Sequence, residues 1–240
     1  MPADNRRHPA HRGALAAIAI LATLAIALLG GDGRAAQAVK DPTTNAKTTR
    51  QVSENWDFEK GTLQRWHTQS RGSGAWYAYA EGTTPPNPKD TDPRVAFNVP
   101  QPPQGRYAAV SDMTAPGVRI LYRDVKLEGR AKLTFTLFYD NAGEFSSPNN
   151  LDFDGCQANQ QFRVELLDPT APAHATAAKH VLATIFKTTP GDPRKLAPKT
   201  ITFDLSEWAG ERVRLRFAQV DNRGPLRAGI DDVRLQAIGR

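Results

Sequence analysis

Four carboxylates lie near the two ends of the chain's main body: Asp57 and Glu59 in "NWDFEKGTLQRW", and Asp231 beside Asp232 in "AGIDDVRL". Asp is uncommon in β-strands, and adjacent carboxylates repel unless a positive group separates them or water solvates them. The two ends of a domain often lie close together in space. If they do so here, the four acids converge, and such a cluster demands a cation. A hard ion such as Ca²⁺ suits it, because Ca²⁺ takes roughly six to eight oxygens from carboxylates and backbone carbonyls. Asp112, closing "GRYAAVSD", is a further candidate ligand.

Alternation places Val233 and Leu235 in a core, and by parity Asp231 points inward and Asp232 outward. An inward carboxylate needs a partner more urgently, so Asp231 is the better ligand of the two. The competing reading leaves Asp232 solvated and lets Asp231 pair with an Arg or accept backbone N–H groups. A second acidic stretch, "NNLDFDGC", puts Asn150, Asp152, Asp154 and Gly155 at the first, third, fifth and sixth positions of a calcium loop. Its twelfth position is Gln161 instead of the bidentate Glu, so an acidic turn between strands fits the stretch better.

Little else points to catalysis. The chain has no G-x-S-x-G, H-E-x-x-H or C-x-x-C, and Cys156 is its single cysteine. Glu54, Asp140, Glu144 and Glu165 are available as glycosidase-type acids, but a pair of carboxylates is defined by a separation that sequence does not give. Sugar binding is the easier chemistry. Trp56, Trp66 and Trp208 read as interior, whereas Tyr77 and Tyr79 lie on the face of their segment opposite Trp76 and could stack on a sugar ring. Arg212, Arg214 and Arg216 form a basic row on one strand face. Such a row is usually solvated or paired with neighbouring acids, and less often meets an acidic polysaccharide.

The elements that must hold these residues are strands. "AKLTFTLFYD", "QFRVELLD", "KTITFDL" and "RVRLRFAQV" alternate apolar and polar residues, with Phe162, Val164 and Leu166 inward in the second and Val213, Leu215 and Phe217 inward in the fourth. "NWDFE", "AWYAY", "YAAVSD", "VRILYRDVKL", "HVLATIFK" and the terminal stretch are further strands. About ten short strands with turn signals between them predict an all-β fold, a two-sheet antiparallel jelly-roll sandwich. The one helical hint, "PTAPAHATAAKHV", is interrupted by Pro172. Long Pro-rich loops are expected at 81–105 and 187–199.

Ahead of this body, Arg6, Arg7 and Arg12 precede an uncharged apolar run from Ala14 to Leu29, followed by Ala36-Gln37-Ala38. That is the order of a signal peptide, residues 1–38, or of an anchor if it is not cleaved. A linker at 39–52, the sandwich at 53–236 and a tail at 237–240 complete the expected organisation. The protein is then secreted, periplasmic or part of a cell envelope, with no membrane contact beyond the N-terminal segment. One cysteine allows no internal disulfide, so the core must hold the domain. The formal charge of +6 includes four Arg and two Asp within residues 1–38, leaving +4 for the remainder. That excess is too small and scattered for nucleic acid to be a partner.

"WDFEKGTLQRW", "GRYAAVSD" and "AGIDDVRL" together resemble the MAM domain and related jelly-roll carbohydrate-binding modules of secreted proteins. The resemblance spans roughly Ser53 to Gln236. It implies a structural Ca²⁺ held between the terminal strands by Glu59, Asp231 and Asp232; Asp57 and Asp112 join the set on the reading of the residues alone. MAM domains carry disulfides, and this chain departs from them there. The expectation is an exported, non-catalytic module binding carbohydrate or another cell-surface ligand. An envelope protein making protein contacts and a polysaccharide-degrading jelly-roll enzyme are the alternatives.

Overall fold

Apolar residues at every second position make each strand two-faced, and two sheets can bury those faces only against each other. The computed structural model describes residues 53–80, 101–113 and 115–238, all within one compact unit, Thr48–Arg240. The leader, the whole linker and most of the 81–105 loop lie outside the described residues. No helix among the described residues is long and apolar enough to cross a membrane.

The described residues form eleven strands: β1 (Glu54–Trp56), β2 (His67–Gly72), β3 (Ala75–Ala80), β4 (Tyr107–Asp112), β5 (Gly117–Lys126), β6 (Ala131–Asn141), β7 (Gln161–Leu167), β8 (Val181–Lys187), β9 (Lys195–Asp204), β10 (Arg212–Asp221) and β11 (Leu226–Ala237). A single 3-10 turn, Ser206–Trp208, separates β9 from β10. One antiparallel sheet runs β3-β4-β11-β6-β9, with β1 also paired to β11; the other runs β2-β5-β10-β7-β8. The two-sheet antiparallel sandwich expected from alternation is therefore the fold. β11 continues to Ala237, and the Ile238 N–H donates to the Arg130 carbonyl at 2.9 Å, one step beyond the expected end of the domain.

The core sits between the sheets. Phe217, Phe162, Phe135 and Leu137 are fully buried, and the Phe217 ring meets Trp66 at 5.6 Å and Phe135 at 5.4 Å in edge-to-face geometry. Each such side chain contributes about 1.5–3 kcal/mol by leaving water. Trp56 and Trp66 join this core as expected, while Trp208 packs against it only partly buried. One end of the core is polar. There the buried Arg119 guanidinium pairs with Asp221, and its Nε donates to the Ser111 hydroxyl on the opposite sheet at 3.1 Å.

The arginine row of β10 has a use that alternation does not reveal. Arg212 is exposed, but Arg216 is fully buried, and the "PTAPAHATAAK" segment is coil laid over the row. Arg216 pairs with Glu165 and donates to the carbonyls of Ala173 at 2.6 Å and Ala175 at 2.7 Å. Arg214 grips both oxygens of Asp124, at 2.6 and 2.9 Å, and donates to the carbonyls of Pro169 and Ala171. The row pins a loop to the outer sheet face and does not form a solvated surface. Beneath the loop lies a second apolar cluster, in which Ala173 and Leu151 cover Val118, Ile120, Ala218 and Val220.

Replacing Arg216 with Met leaves the buried Glu165 with Arg163, 3.5 Å away, as its remaining ion pair among the described residues, and frees two carbonyls. Breaking a buried pair in this way costs about 3–5 kcal/mol. Urea unfolding is expected to show that loss, whereas Arg212→Met at the exposed end of the row should change stability by less than about 0.5 kcal/mol. Equal effects would show that the row does not act as a pin.

Candidate binding sites

β11 shares one edge between two partners. Ala228, Gly229 and Ile230 pair with β4, and Val233, Arg234 and Leu235 pair with β1. Asp231 and Asp232 fall between those two stretches, where the register with β6 also slips by a β-bulge. Asp232 adopts a positive φ of 51°, which Asp tolerates better than most residues. The extra residue lets Ile230 and Val233, three apart, both enter the core. It also overturns the parity argument. Asp231 follows the inward Ile230 and lies on the other side of the strand, buried but not in the core between the sheets.

Asp231 is buried beneath the segment that leads into β4. Its Oδ2 accepts the Gln104 N–H at 2.8 Å and its Oδ1 accepts the Asp232 N–H at 2.6 Å. Glu59 accepts from the same segment: Arg106 N–H at 2.9 and 3.0 Å, and Tyr107 N–H at 3.0 Å. Gly105, at φ 63°, sits directly against the Glu59 carboxylate, and a Cβ there would collide with it. The structure thus brings Glu59 and Asp231 to one stretch of backbone, 104–107. Asp231 accepts backbone N–H groups, the competing arrangement weighed above.

The other acids go elsewhere. Asp57 caps the turn after β1, accepting the Glu59 N–H and the Asn55 side-chain amide, each at 3.2 Å. Asp232 accepts Arg234 Nε at 2.6 Å. Asp112 ends the opposite end of β4 from Tyr107 and faces Arg227 at 3.8 Å. It does not join Glu59 and Asp231. Among the described residues, no group of three or more His, Cys, Asp or Glu side chains is placed to hold a metal.

Glu59 and Asp231 are thus the two of these acids that meet, and Asp231 is electrostatically strained. Burial pushes the Asp231 carboxyl up to about 7, against the pull of the Gln104 and Asp232 N–H groups; the Asp232 and Glu59 charges push it further. Each Asp231 oxygen accepts one N–H, which leaves lone pairs for a further partner. A divalent ion would remove the repulsion between the carboxylates. Glu59 and Asp231 are the two carboxylates that the structure brings to this backbone segment.

The 150–155 loop is built on amides. Asn159 Nδ2 donates to Asn150 Oδ1 and to the Asp152 carbonyl, both at 2.8 Å, and more distantly to the Asn150 carbonyl at 3.4 Å. Oxygens that would face an ion in a calcium loop here face an NH₂ group, while Asp152 and Asp154 are exposed. Cys156 beside them is exposed and free.

The tyrosines occupy the outer face of the six-stranded sheet. Tyr79 is buried there with Ala108, Val110 and Phe138, and Tyr77 packs against that cluster half-exposed. Gly229 is required, since a Cβ would run into the Phe138 ring lying across it. The Tyr77 hydroxyl is raised above the usual phenol range, first by burial and then by the Asp112 charge, with Arg227 opposing. It has no hydrogen-bond partner among the described residues. Of the two tyrosines chosen from sequence, Tyr77 keeps part of its side chain exposed while its hydroxyl is buried, and Tyr79 is packed beneath the surface.

The Asp231 environment predicts a pH dependence. The folded state holds this proton more tightly than the unfolded chain, whose Asp titrates near about 4, so stability falls as pH rises from about 4 to about 7 and then levels. Asp221, raised to about 6 by burial, contributes to the lower part of that window. With chelator present, Asp231→Asn should flatten the decline between about pH 6 and 7, as read by urea unfolding at each pH. An unchanged slope would contradict the assignment.

No protein-family model matches this chain, and no curated protein matches it. Solved structures similar to it include carbohydrate-binding β-sandwich modules. A cleaved adhesin domain of Lys-gingipain from Porphyromonas gingivalis is 16% identical, with a TM-score of 0.47, covering 78% of this chain and 99% of that one. TmCBM61 in complex with β-1,4-galactotriose is 13% identical, with a TM-score of 0.43, covering 76% and 95%. The CBM22-1 xylan-binding domain from Paenibacillus barcinonensis Xyn10C is 14% identical, with a TM-score of 0.37, covering 78% and 94%.

Proposed function

We propose that the chain is an exported, non-catalytic β-sandwich module that binds carbohydrate or another cell-surface ligand and carries a structural calcium ion. The ligand reading rests on the outer face of the six-stranded sheet. There a half-exposed Tyr77 stands on an apolar bed of Val110 and Phe138, with Asp112 and Arg227 close by. Apolar plates bordered by polar groups suit sugar rings, whose faces are apolar and whose rims are hydroxyls.

The calcium reading is supported by Asp231, a buried carboxylate sharing one backbone segment with Glu59. Those two side chains would hold the ion, whose charge would keep both carboxylates ionised and bind the first strand's turn to the last strand. Likeness to MAM domains in particular rests on Phe58-Glu59, on Gly61 with Trp66, and on Ile230-Asp231-Asp232. Export rests on the basic residues and apolar run before residue 38.

Titration calorimetry against neutral oligosaccharides tests the ligand reading. Binding is expected, and Tyr77→Ala should weaken it by about tenfold, the loss of one aromatic contact. The variant's melting point should stay within about 4 °C of the parent. Affinity unchanged by Tyr77→Ala would refute the site.

A further inference from the structure

A groove of about 450 Å³ opens beside β1 and the turn that follows it, away from the tyrosine face. Its volume falls in the range of small-ligand sites, roughly 300–1,000 Å³. Lys60, Arg65 and Arg123 line it against a single acid, Glu54, so the groove is cationic.

Arg123 is its centre. The guanidinium lies 4.6 Å from the Trp56 ring centroid, and its Nη2 reaches Glu54 Oε2 at 3.3 Å. Its Nη1 is buried and has no hydrogen-bond partner among the described residues. Burial lowers the Arg123 pKa; Glu54 opposes that, and the nearby Arg65 charge adds to it. Two guanidinium groups lining one space fit an anion that bridges them. Glu54 alone does not suffice, because it is paired with Arg123 through the other nitrogen.

The ligand's remaining chemistry follows from the other walls. Trp56 is buried under Arg123, at 4% exposure, so ring stacking on its face is not available. Asn55, Thr62 and Gln64 supply amides and a hydroxyl, groups suited to sugar hydroxyls. We propose that this groove binds the carboxylate of a uronic acid residue in an anionic polysaccharide, with Arg123 and Arg65 on the carboxylate. The inference rests on the carbohydrate reading only in taking the anion to be part of a saccharide, and its site is independent of Tyr77.

Oligogalacturonate and neutral oligogalactose, titrated separately into the full chain, distinguish the two sites. Oligogalacturonate is expected to bind at least about tenfold more tightly than the neutral sugar at low salt, and to weaken as salt rises. Arg65 and Lys60 are exposed, so Arg65→Ala and Lys60→Ala should melt like the parent while Arg65→Ala loses about tenfold in uronate affinity. Arg123→Gln would disturb the packing of Trp56, and Arg65→Ala keeps the test clean. Uronate bound with Arg65 dependence while neutral sugars fail would support the groove and overturn the tyrosine site. Neutral sugar bound through Tyr77 with no Arg65-dependent uronate binding would overturn the groove and leave the carbohydrate reading standing.

Discussion

One extra residue in β11 organises the domain. That strand pairs with β6 on one edge and with both β4 and β1 on the other, and the change of partner falls at Asp231 and Asp232. A regular strand would send Ile230 and Val233 to opposite faces; the bulge sends both to the core. The positive φ of Asp232 costs on the order of 1 kcal/mol for a residue with a side chain, and its carboxylate accepts from Arg234 there. The adjacent acids are thus explained by position: one occupies the bulge, and the other turns under the 104–107 backbone to meet the segment that Glu59 also holds.

The interior uses arginine where a larger apolar core might be expected. Arg119, Arg163 and Arg216 are among the largest fully buried side chains. Burying a guanidinium is costly unless its donors are met, and a buried ion pair adds less stability than it appears to. Their value is geometric. Arg119 joins β5 to Ser111 on the opposite sheet and to Asp221, and Arg216 fixes the 168–178 coil. A chain with no disulfide fastens its long connections with multidentate hydrogen bonds instead. The formal positive charge of the protein is for that reason a poor guide to its surface, since several of its cations are spent inside.

Alternation of residue type was a sufficient guide to β6, β7, β9 and β10, although β7 is buried at every position and β10 along most of its length, the polar face of each covered by other parts of the chain. It failed for β2, "HTQSRG", an edge strand exposed at every position and so without any apolar signal. It failed at Asp231 because one bulge reverses the parity of everything after it. Convergence of Glu59 and Asp231 was legible from the proximity of the first and last strands, a property of the topology. The separation of Asp112 was not, since distance along β4 decides it and sequence gives no pairing. Tyr79 was read as accessible from its side of the strand, but a sheet's outer face can carry its own apolar cluster. The arginine row pairs with acids on neighbouring strands, Arg214 with Asp124 and Arg216 with Glu165, one of the two arrangements expected, but its hold on the 169–175 carbonyls leaves no mark in residue type.

The account stands or falls on whether the carboxylates at the β11 bulge form a cation-dependent clamp. Thermal melting of residues 39–240 with EDTA and with millimolar Ca²⁺, alongside Asp231→Asn, measures it directly. Binding to the native state alone stabilises by about 2.7 kcal/mol at a hundredfold excess over Kd, and each kcal/mol raises the melting point of a domain this size by about 2–4 °C. The account predicts a calcium-dependent rise in the parent that Asp231→Asn abolishes and Asp112→Asn retains. A melting point indifferent to calcium, or a rise that survives Asp231→Asn, would contradict it.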